Sequence, residues 1–285
     1  MTQLRQPGLS TRRSCALCRI SRSSYAYQAA PELQQRDAEL GQHLRRIARR
    51  RPRYGYRRAY ALLRRGGWLI NHKRVRRVWR LEKLSLPLRR SRKRRPGTGT
   101  TWDQATQPYQ VWTYDFVQDR CNRGHRLRFL TITDEFTRQS LAVVTATSIR
   151  SQQVLQVLAR LFAEPGPPQY LRSDNGPEFV AKAVQEWLKE QGVQTLYIEP
   201  GCPWQNGYAE SFHSRFRDEC LNREWFHNVR EARVVVEAWR VYYNEQRPHS
   251  SLGYLTPREF HGLWQQEQSQ SLVSETYATW RFSSP

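Results

Sequence analysis

Three carboxylates in the second half of the chain stand where an acidic residue is unexpected unless it has a chemical role. Asp115 lies inside the strand-like run VWTYDFV, where both strand propensity and desolvation disfavour an aspartate. Asp174 follows an apolar run in QYLRSDNGPEF, and Glu210 lies in NGYAESFHSRFRDE, which has helical spacing. Thirty-five residues separate Asp174 from Glu210.

This set of carboxylates fits phosphoryl transfer assisted by two metal ions, because no Ser, Cys or His nucleophile accompanies it. Anionic groups at neighbouring strand ends repel each other, and a hard divalent cation relieves that repulsion. Carboxylate oxygens suit Mg²⁺, or Mn²⁺ in its place, rather than zinc. Two such ions, roughly 3.5–4 Å apart, activate the attacking and leaving oxygens of a phosphodiester. We therefore predict Asp115, Asp174 and Glu210 as the catalytic residues and as the ligands of two Mg²⁺ ions.

Two alternatives concern individual members of this set. Glu210 could be an ordinary exposed residue of an amphipathic helix, on a polar face shared with His213, Ser214 and Arg217. The preceding loop EPGCPWQNG is rich in Pro, Gly and Asn, however, which would let the helix swing over the edge of the sheet. Glu178, four residues after Asp174, is an alternative metal ligand.

Strand and helix patterns alternate around these carboxylates. Three consecutive strands are predicted to form an antiparallel meander: VWTYDFV, RLRFLTITDEF and QSLAVVTA. Two further strands, QYLRS and VQTLYI, each follow a helical run. The second helical run is predicted to begin at Pro177, with Phe179, Ala183, Trp187 and Leu188 on one face. The order β-β-β-α-β-α-β-α predicts an α/β, RNase H-like fold, in which helices cover both faces of a mixed five-stranded sheet.

The charge is concentrated in the first third of the chain, although the whole chain has a net charge of +22. Residues 1–95 contain 28 Lys and Arg against 4 Asp and Glu, whereas residues 96–285 contain 19 against 21. A polyanion is therefore the expected partner of a basic N-terminal module, and the remainder is nearly neutral.

The basic region reads as a small helical module with a helix-turn-helix. A helix over residues 32–50 precedes RYGYRRAYALLRR, a glycine turn at Gly66 and Gly67, and a helix capped by Asn71. The last helix carries the cations that we predict to contact DNA, which are Lys73, Arg74, Arg76, Arg77 and Arg80. The alternative is a solvated basic helix that makes no specific contact.

These patterns predict five segments and an intracellular location. The segments are an N-terminal basic segment (1–30), a helix-turn-helix-like DNA-binding module (31–85), a basic linker (86–107), a catalytic core (108–262) and a C-terminal tail (263–285). Five scattered cysteines indicate a reducing compartment, and no apolar run is long enough to span a bilayer. A cytoplasmic, nucleoid-associated protein is expected, with no membrane partner.

The spacing of the three carboxylates also matches the D,D(35)E signature of retroviral-type integrases and related transposases. The segments SDNGPEF, NGYAESFHSRFRDECL and YNEQRPHSSLGYLTPREF resemble the second-frame protein (OrfB) of two-frame insertion sequences, and the resemblance covers about Ser14 to Phe260. It implies Mg²⁺-dependent cleavage at the ends of the element, followed by attack of the freed 3′-hydroxyl on another phosphodiester. It also places Arg217, seven residues after Glu210, where the family keeps a basic residue, within reach of a DNA phosphate.

The resemblance further implies the partners. They are double-stranded DNA at the element ends and at the target, other copies of the chain in a homo-oligomer, and an upstream-frame protein. No retroviral-type HHCC zinc module is present, so recognition of the ends is assigned to the basic helical module. Trp204, in the loop before the Glu210 helix, is a further candidate for DNA contact.

Two rival functions stay open at this point. One is a catalytically inert DNA-binding accessory protein or repressor, and the other is a nuclease that hydrolyses without joining strands. The roles of His213, which stands where the family more often has Asn, and of His249 are also open.

Overall fold

The computed structural model describes residues 10–26, 31–87, 104–174, 176–199 and 203–282, without the side chains of 31–34, 203–204 and 271–282. The chain divides into two compact units, Met1–Pro87 and Leu88–Pro285. Most of the predicted basic linker lies outside the described residues, and the predicted segment boundaries remain predictions. Where the chain is described, no helix has the length and apolar character needed to cross a bilayer.

The N-terminal unit is helical, as predicted. Its helices are α1 (Thr11–Leu17), α2 (Arg22–Ala26), α3 (Pro31–Arg50), α4 (Tyr56–Arg65) and α5 (His72–Leu81). The Asn71 side chain caps α5 by accepting a hydrogen bond from the Lys73 N–H at 2.8 Å. The turn between α4 and α5 passes through Gly67 at φ +82°, a conformation that side chains disfavour. Leu40 and Leu44 of α3 pack with apolar residues of α4 and α5 in one core.

The second unit is built on the predicted mixed five-stranded sheet. Its strands are β1 (Val111–Arg120), β2 (Arg126–Asp134), β3 (Ser140–Ala146), β4 (Tyr170–Ser173) and β5 (Gln194–Tyr197). They lie in the order β3-β2-β1-β4-β5. Strands β1 to β3 are antiparallel neighbours, whereas β4 runs parallel to both β1 and β5. The predicted meander and the RNase H-like architecture are confirmed.

Helices cover both faces of this sheet because β1 alternates between two cores. Trp112 and Tyr114 pack with α6 (Ser151–Ala163) and α7 (Lys182–Glu190) on one face. Val117 packs on the other face with α8 (Gly207–Glu219) and α9 (Val229–Glu245). A final helix, α10 (Pro257–Phe282), follows. Asp115 therefore points to the α8 side, as the alternation of side chains requires.

Two details differ from the sequence prediction. Residues 177–180 form a turn and a bend, and α7 begins only at Lys182, so the predicted start at Pro177 is wrong. The buried face of α7 contains Val184 and Leu188, while Ala183 is exposed.

Candidate active site

Asp115 lies on the central strand β1, beside the end of the neighbouring strand β4, and both of its carboxylate oxygens are oriented. Its Oδ1 accepts a hydrogen bond from the Phe116 N–H at 2.6 Å, and its Oδ2 accepts one from the Asn206 amide at 3.1 Å. Its side chain is 17% exposed. Burial, together with the nearby charges of Asp174 and Glu210, raises the pKa of Asp115 to about 6. Asp115 is therefore a half-buried carboxylate in a negative environment.

Asp174 reaches the same edge of the sheet through strand register. Thr113 of β1 is level with Arg172 of the parallel strand β4. Asp115 lies two residues further along β1 and Asp174 directly follows the last residue of β4, so continuing the same register sets the two residues side by side. The Asp174 Oδ1 accepts a hydrogen bond from the Gly176 N–H at 3.1 Å. A side chain at Gly176 would meet that oxygen at 3.0 Å.

Glu210 lies in the first turn of α8 and is exposed. The buried side of that helix, with Phe212 and Phe216, packs against the face of the sheet from which Asp115 projects. This packing brings the Glu210 charge close enough to act on Asp115. The structure thus brings the three predicted carboxylates to one edge of the sheet, although their catalytic role remains a prediction.

The chemistry of these donors suits a divalent cation. All three are carboxylates, the ligand type that Mg²⁺ prefers, and their mutual repulsion is the kind that a cation relieves. Among the described residues, no three His, Cys, Asp or Glu side chains are already grouped as a metal cluster. Asp174 and Glu210 are both exposed, so an ion from solvent can reach their carboxylates.

His213 does not share the solvent-facing side of α8 that the helical pattern predicts for it. Its Nε2 lies 2.9 Å from the Thr131 Oγ1, and its Nδ1 lies 3.7 Å from the Asp115 Oδ2. The Thr131 hydroxyl donates to the Asp115 backbone carbonyl at 3.0 Å, so it accepts from an Nε2–H. Burial, and then the charge of Arg217, lower the pKa of His213 to about 4. A neutral imidazole therefore directs an acceptor nitrogen at Asp115.

Sequence reasoning missed a buried polar network beneath this edge. Arg172 of β4 pairs with Glu135 at 3.2 Å, and their side chains are only 7% and 1% exposed. Glu135 also accepts from the Thr113 hydroxyl at 2.6 Å, and Arg172 donates to the Gln205 carbonyl at 3.3 Å. Gln205 directly precedes Asn206, the residue that orients Asp115. The available signal was Arg172 itself, a charge in a short buried strand.

Glu178 has a partner of its own. It accepts a hydrogen bond from Arg128 of β2 at 2.6 Å, and that contact lowers its pKa. The Arg128 guanidinium also lies 3.7 Å from the centre of the Phe116 ring. Because the Glu178 carboxylate is already paired with Arg128, the structure disfavours the alternative that Glu178 is a metal ligand.

The predicted DNA-contact residues fall into distinct groups. Lys73, Arg76 and Arg80 are exposed on α5, whereas Arg74 and Arg77 form ion pairs with Asp37 of α3. Arg217 is exposed and donates to the Gln118 carbonyl at 3.1 Å. The Trp204 side chain lies outside the described residues. DNA contact by each of these residues stays a prediction.

Family models match most of the described chain. Two models, both described as an integrase core domain, match residues 105–203 and 191–257. A third, described as an HTH-like domain, matches residues 34–94.

Curated relatives come from bacterial insertion elements. An uncharacterized 31.7 kDa protein of insertion element IS407 from Burkholderia multivorans is 42% identical over 88% of this chain and 90% of the relative. An uncharacterized 39.2 kDa protein of IS476 from Xanthomonas euvesicatoria is 37% identical over 93% and 76%. Transposase InsD for insertion element IS2D from Escherichia coli is 32% identical over 73% of each chain.

Solved structures include one of the HTLV-2 integrase catalytic core domain in complex with magnesium, in its trimeric form. It is 15% identical, covers 55% of this chain and 98% of that one, and has a TM-score of 0.41.

Proposed function

This chain belongs to the OrfB-type transposases of insertion sequences, which carry an integrase core, and we propose that it both cleaves and joins DNA. It would cleave strands at the ends of its element and transfer the freed 3′-hydroxyls to a target. The proposal rests mainly on the shared sheet edge, where register sets Asp174 beside Asp115 and packing of α8 brings in Glu210.

In this proposal Asp115, Asp174 and Glu210 hold two Mg²⁺ ions. Bound there, such ions would lower the pKa of an attacking hydroxyl and stabilise the charge that develops on the phosphate oxygens. Asn206 and the Phe116 N–H hold the Asp115 carboxylate in one orientation, so little reorganisation is needed when a cation binds. Because His213 is neutral, it adds no positive charge to compete with the cation.

The two proposed steps share one displacement chemistry. In cleavage, a water oxygen bonds to phosphorus and loses a proton to solvent, while the bond from phosphorus to the 3′-oxygen breaks and that oxygen takes up a proton to become a 3′-hydroxyl. In joining, the oxygen of that 3′-hydroxyl bonds to a target phosphorus and loses its proton, while the bond from that phosphorus to a target 3′-oxygen breaks and the departing oxygen takes up a proton. No covalent protein–DNA intermediate is needed. Joining both element ends requires two active sites near each other, which supports the predicted homo-oligomer. An upstream-frame partner stays a prediction.

The test uses the purified full chain, Mg²⁺ and a labelled duplex that carries the ends of its own element. Denaturing gels should show nicked strands and joined products longer than the substrate. Both should vanish in Asp115→Asn and in Glu210→Gln, which retain side-chain size but remove a charge. Glu186→Gln is the matched control, because Glu186 is an exposed carboxylate on α7 that pairs with Lys182.

The outcomes separate the rival functions. Nicks without joined products would favour a hydrolytic nuclease. DNA binding without cleavage under any divalent ion would favour an inert accessory protein. Full activity in a folded Glu210→Gln variant would refute the assignment of the three carboxylates.

A further inference from the structure

The hairpin that joins β1 and β2 extends beyond the other strands of the sheet. The ladder between β1 and β4 runs only from Val111 to Thr113, and the ladder between β2 and β3 begins at Arg128. Residues 119–127, which we call the hairpin end, therefore form a two-stranded ribbon with no third strand from the described part of the chain beside it.

The two faces of the hairpin end differ in burial. Side chains alternate along a strand, and Cys121 and Leu127 point to the α8 side, where they are buried with Phe226. The same alternation directs Arg120 and Arg126 to the opposite face, where both are exposed. One face of the hairpin end is packed against the protein, and the other presents two arginines to solvent.

Arg120 and Arg126 are directly opposite each other in the antiparallel register. The Cβ atoms of such a pair are about 4.5–5.5 Å apart, and like charges in this arrangement destabilise a sheet. Neither guanidinium group has an ion pair or a hydrogen bond within the described part of the chain. Asp119, the one acid between Phe116 and Leu130, is half-buried, and its Oδ1 accepts a hydrogen bond from the Arg120 backbone N–H at 2.8 Å. The repulsion between the two arginines is therefore not offset by a neighbouring side chain described here.

Other cations of the same unit have acidic partners. Three such ion pairs are Lys182–Glu186, Arg240–Glu237 and Arg258–Glu245. Residues 96–285 as a whole are nearly neutral, with 19 Lys and Arg against 21 Asp and Glu. The Arg120–Arg126 pair departs from this balance, and a bound anion would relieve its repulsion, just as a bound cation relieves repulsion between carboxylates.

The arginine pair lies on the strand that carries Asp115. Arg120 follows Asp115 by five residues, which corresponds to about 17 Å at the rise of a β-strand. Between them, exposed Arg217 of α8 donates to the Gln118 carbonyl at 3.1 Å, so a further cation contacts β1 two residues before Arg120. Each nucleotide of one DNA strand advances about 3.4 Å along the helix axis, so about 17 Å corresponds to about five nucleotides.

The chemistry of the pair suits a phosphate. A guanidinium group donates two parallel N–H bonds to phosphate oxygens, and two such groups on neighbouring Cβ atoms can bind different oxygens of one phosphate. From this geometry we propose that Arg120 and Arg126 together bind one DNA phosphate, about five nucleotides from the bond that is cleaved. The inference rests on the proposed cleavage and joining of DNA and adds a contact to it. Such a contact positions the DNA and carries little base-sequence information.

The salt dependence of binding tests the pair in the full chain, with EDTA to prevent cleavage and a labelled duplex of the element end followed by fluorescence anisotropy. R120Q/R126Q removes one phosphate contact, so the slope of log affinity against log salt should become shallower by about 0.9. Between about 50 and about 200 mM salt, the affinity of the wild type should then fall about 3.5-fold more than that of the variant. R120Q and R126Q alone should each lose most of this slope, because both arginines bind the same phosphate.

R160Q/R258Q is the matched control, because it removes two exposed arginines from the same unit at a distance from the hairpin end. Helix α10, which carries Arg258, packs through Phe260 on Phe136, at the opposite end of β2 from the hairpin end. Arg160 lies in the last turn of α6, and β4, which follows α6, begins level with Val111 at the far end of β1. This variant should retain the wild-type slope.

A methylphosphonate, which is an uncharged analogue of the phosphate, locates the contact on the DNA. It is placed at one position at a time, from about two to about eight nucleotides on either side of the cleaved bond. One position about five nucleotides away should weaken binding by the wild type and leave binding by R120Q/R126Q unchanged. A phosphate bound elsewhere on the protein would weaken binding by both.

R126E separates DNA binding from stability. The change places an acid opposite Arg120 and replaces a repulsive cross-strand pair with an attractive one. The melting temperature without DNA should therefore rise, while the salt slope becomes shallower by about 0.9 or more. A lower melting temperature in folded R126E would contradict the argument from like charges.

The remaining outcomes separate this inference from the proposed function. A wild-type salt slope in R120Q/R126Q, or equal sensitivity of that variant and the wild type to every methylphosphonate, would overturn the phosphate contact. An equal change of slope in R160Q/R258Q would attribute the effect to net charge and would also overturn it. None of these results bears on catalysis. The proposed function fails instead if the wild type binds DNA but neither cleaves nor joins it with Mg²⁺.

Discussion

Replacing Arg172 by methionine should destabilise the catalytic unit strongly, because the change leaves a buried charge without its partner. Glu135, whose side chain is 1% exposed, would retain only the Thr113 hydroxyl as a contact among those described above. Removing one member of a buried ion pair costs about 3–5 kcal/mol. Domains have free energies of unfolding of about 5–15 kcal/mol, so a large share of the total would be lost.

The loss should depend on pH with a definite sign. Burial already raises the pKa of Glu135, and Arg172 is the largest influence that opposes this rise. Without Arg172 that pKa rises further, so the folded state favours the protonated acid more than the unfolded state does. The destabilisation should therefore be small near pH 4 and grow as pH rises through the folded-state pKa.

Urea unfolding followed by tryptophan fluorescence at about pH 5 and about pH 8 measures both effects. The double variant Arg172→Met/Glu135→Gln removes the stranded charge and should recover at least half of the loss at the higher pH. Strand transfer should remain low in the double variant, because the Gln205 carbonyl still lacks its donor and Asn206 is held less firmly against Asp115. Equal stability of Arg172→Met and the wild type at about pH 8, or no recovery in the double variant, would refute the reasoning.

Three further predictions concern the remaining charges. Asp115→Asn should stabilise the metal-free protein above about pH 6 by up to about 3 kcal/mol, because the raised pKa makes ionisation of Asp115 unfavourable in the folded state. Melting temperatures measured in EDTA at about pH 8 check this, and equal values for Asp115→Asn and the wild type would contradict it. Added Mg²⁺ should raise the melting temperature of the wild type by several degrees and that of Asp115→Asn much less, measured by calorimetry with added K⁺ as the control. Arg247→Met should lower the free energy of unfolding by about 3–5 kcal/mol, because Arg247 pairs through two hydrogen bonds with buried Glu219. Urea titration measures the loss, and Arg258→Met, which removes an exposed ion-paired arginine, is the control.

Much of the fold was readable from the sequence because its signals are local. The alternation in VWTYDFV sets which face Asp115 occupies, and in the structure Val117, two residues later, packs on this same face. The cap at Asn71 and the glycine turn before it likewise depend on neighbours within a few residues. Strand register then follows from burial on both faces, which leaves little freedom for the strands to slip.

The contacts that orient the side chains of the candidate active site could not be predicted from the sequence, because they join residues far apart in the chain. The hydrogen bond from Arg172 to the Gln205 carbonyl spans 33 residues, and the contact of His213 with Thr131 spans 82. A helical wheel gives the spacing of side chains around α8, but not which of the polar positions the neighbouring sheet will cover. His213 is therefore indistinguishable in sequence from exposed Ser214, although only His213 reaches Asp115.

The two buried ion pairs, Arg247–Glu219 and Arg172–Glu135, lie on the elements that position Glu210 and Asp174, and the proposed metal binding requires those positions to be fixed. Phe212 and Phe216 press α8 onto the sheet, but apolar contacts are non-directional and leave sliding and rotation weakly determined. Glu219, nine residues after Glu210 on the same helix, pairs with Arg247, and Arg172, two residues before Asp174, pairs with Glu135. Strand β4, which leads into the candidate ligand Asp174, and helix α8, which carries the candidate ligand Glu210, are thus each tied by a directional contact. Well-packed apolar residues often match the stability of such pairs, so the value of these two lies in fixing where Asp174 and Glu210 point.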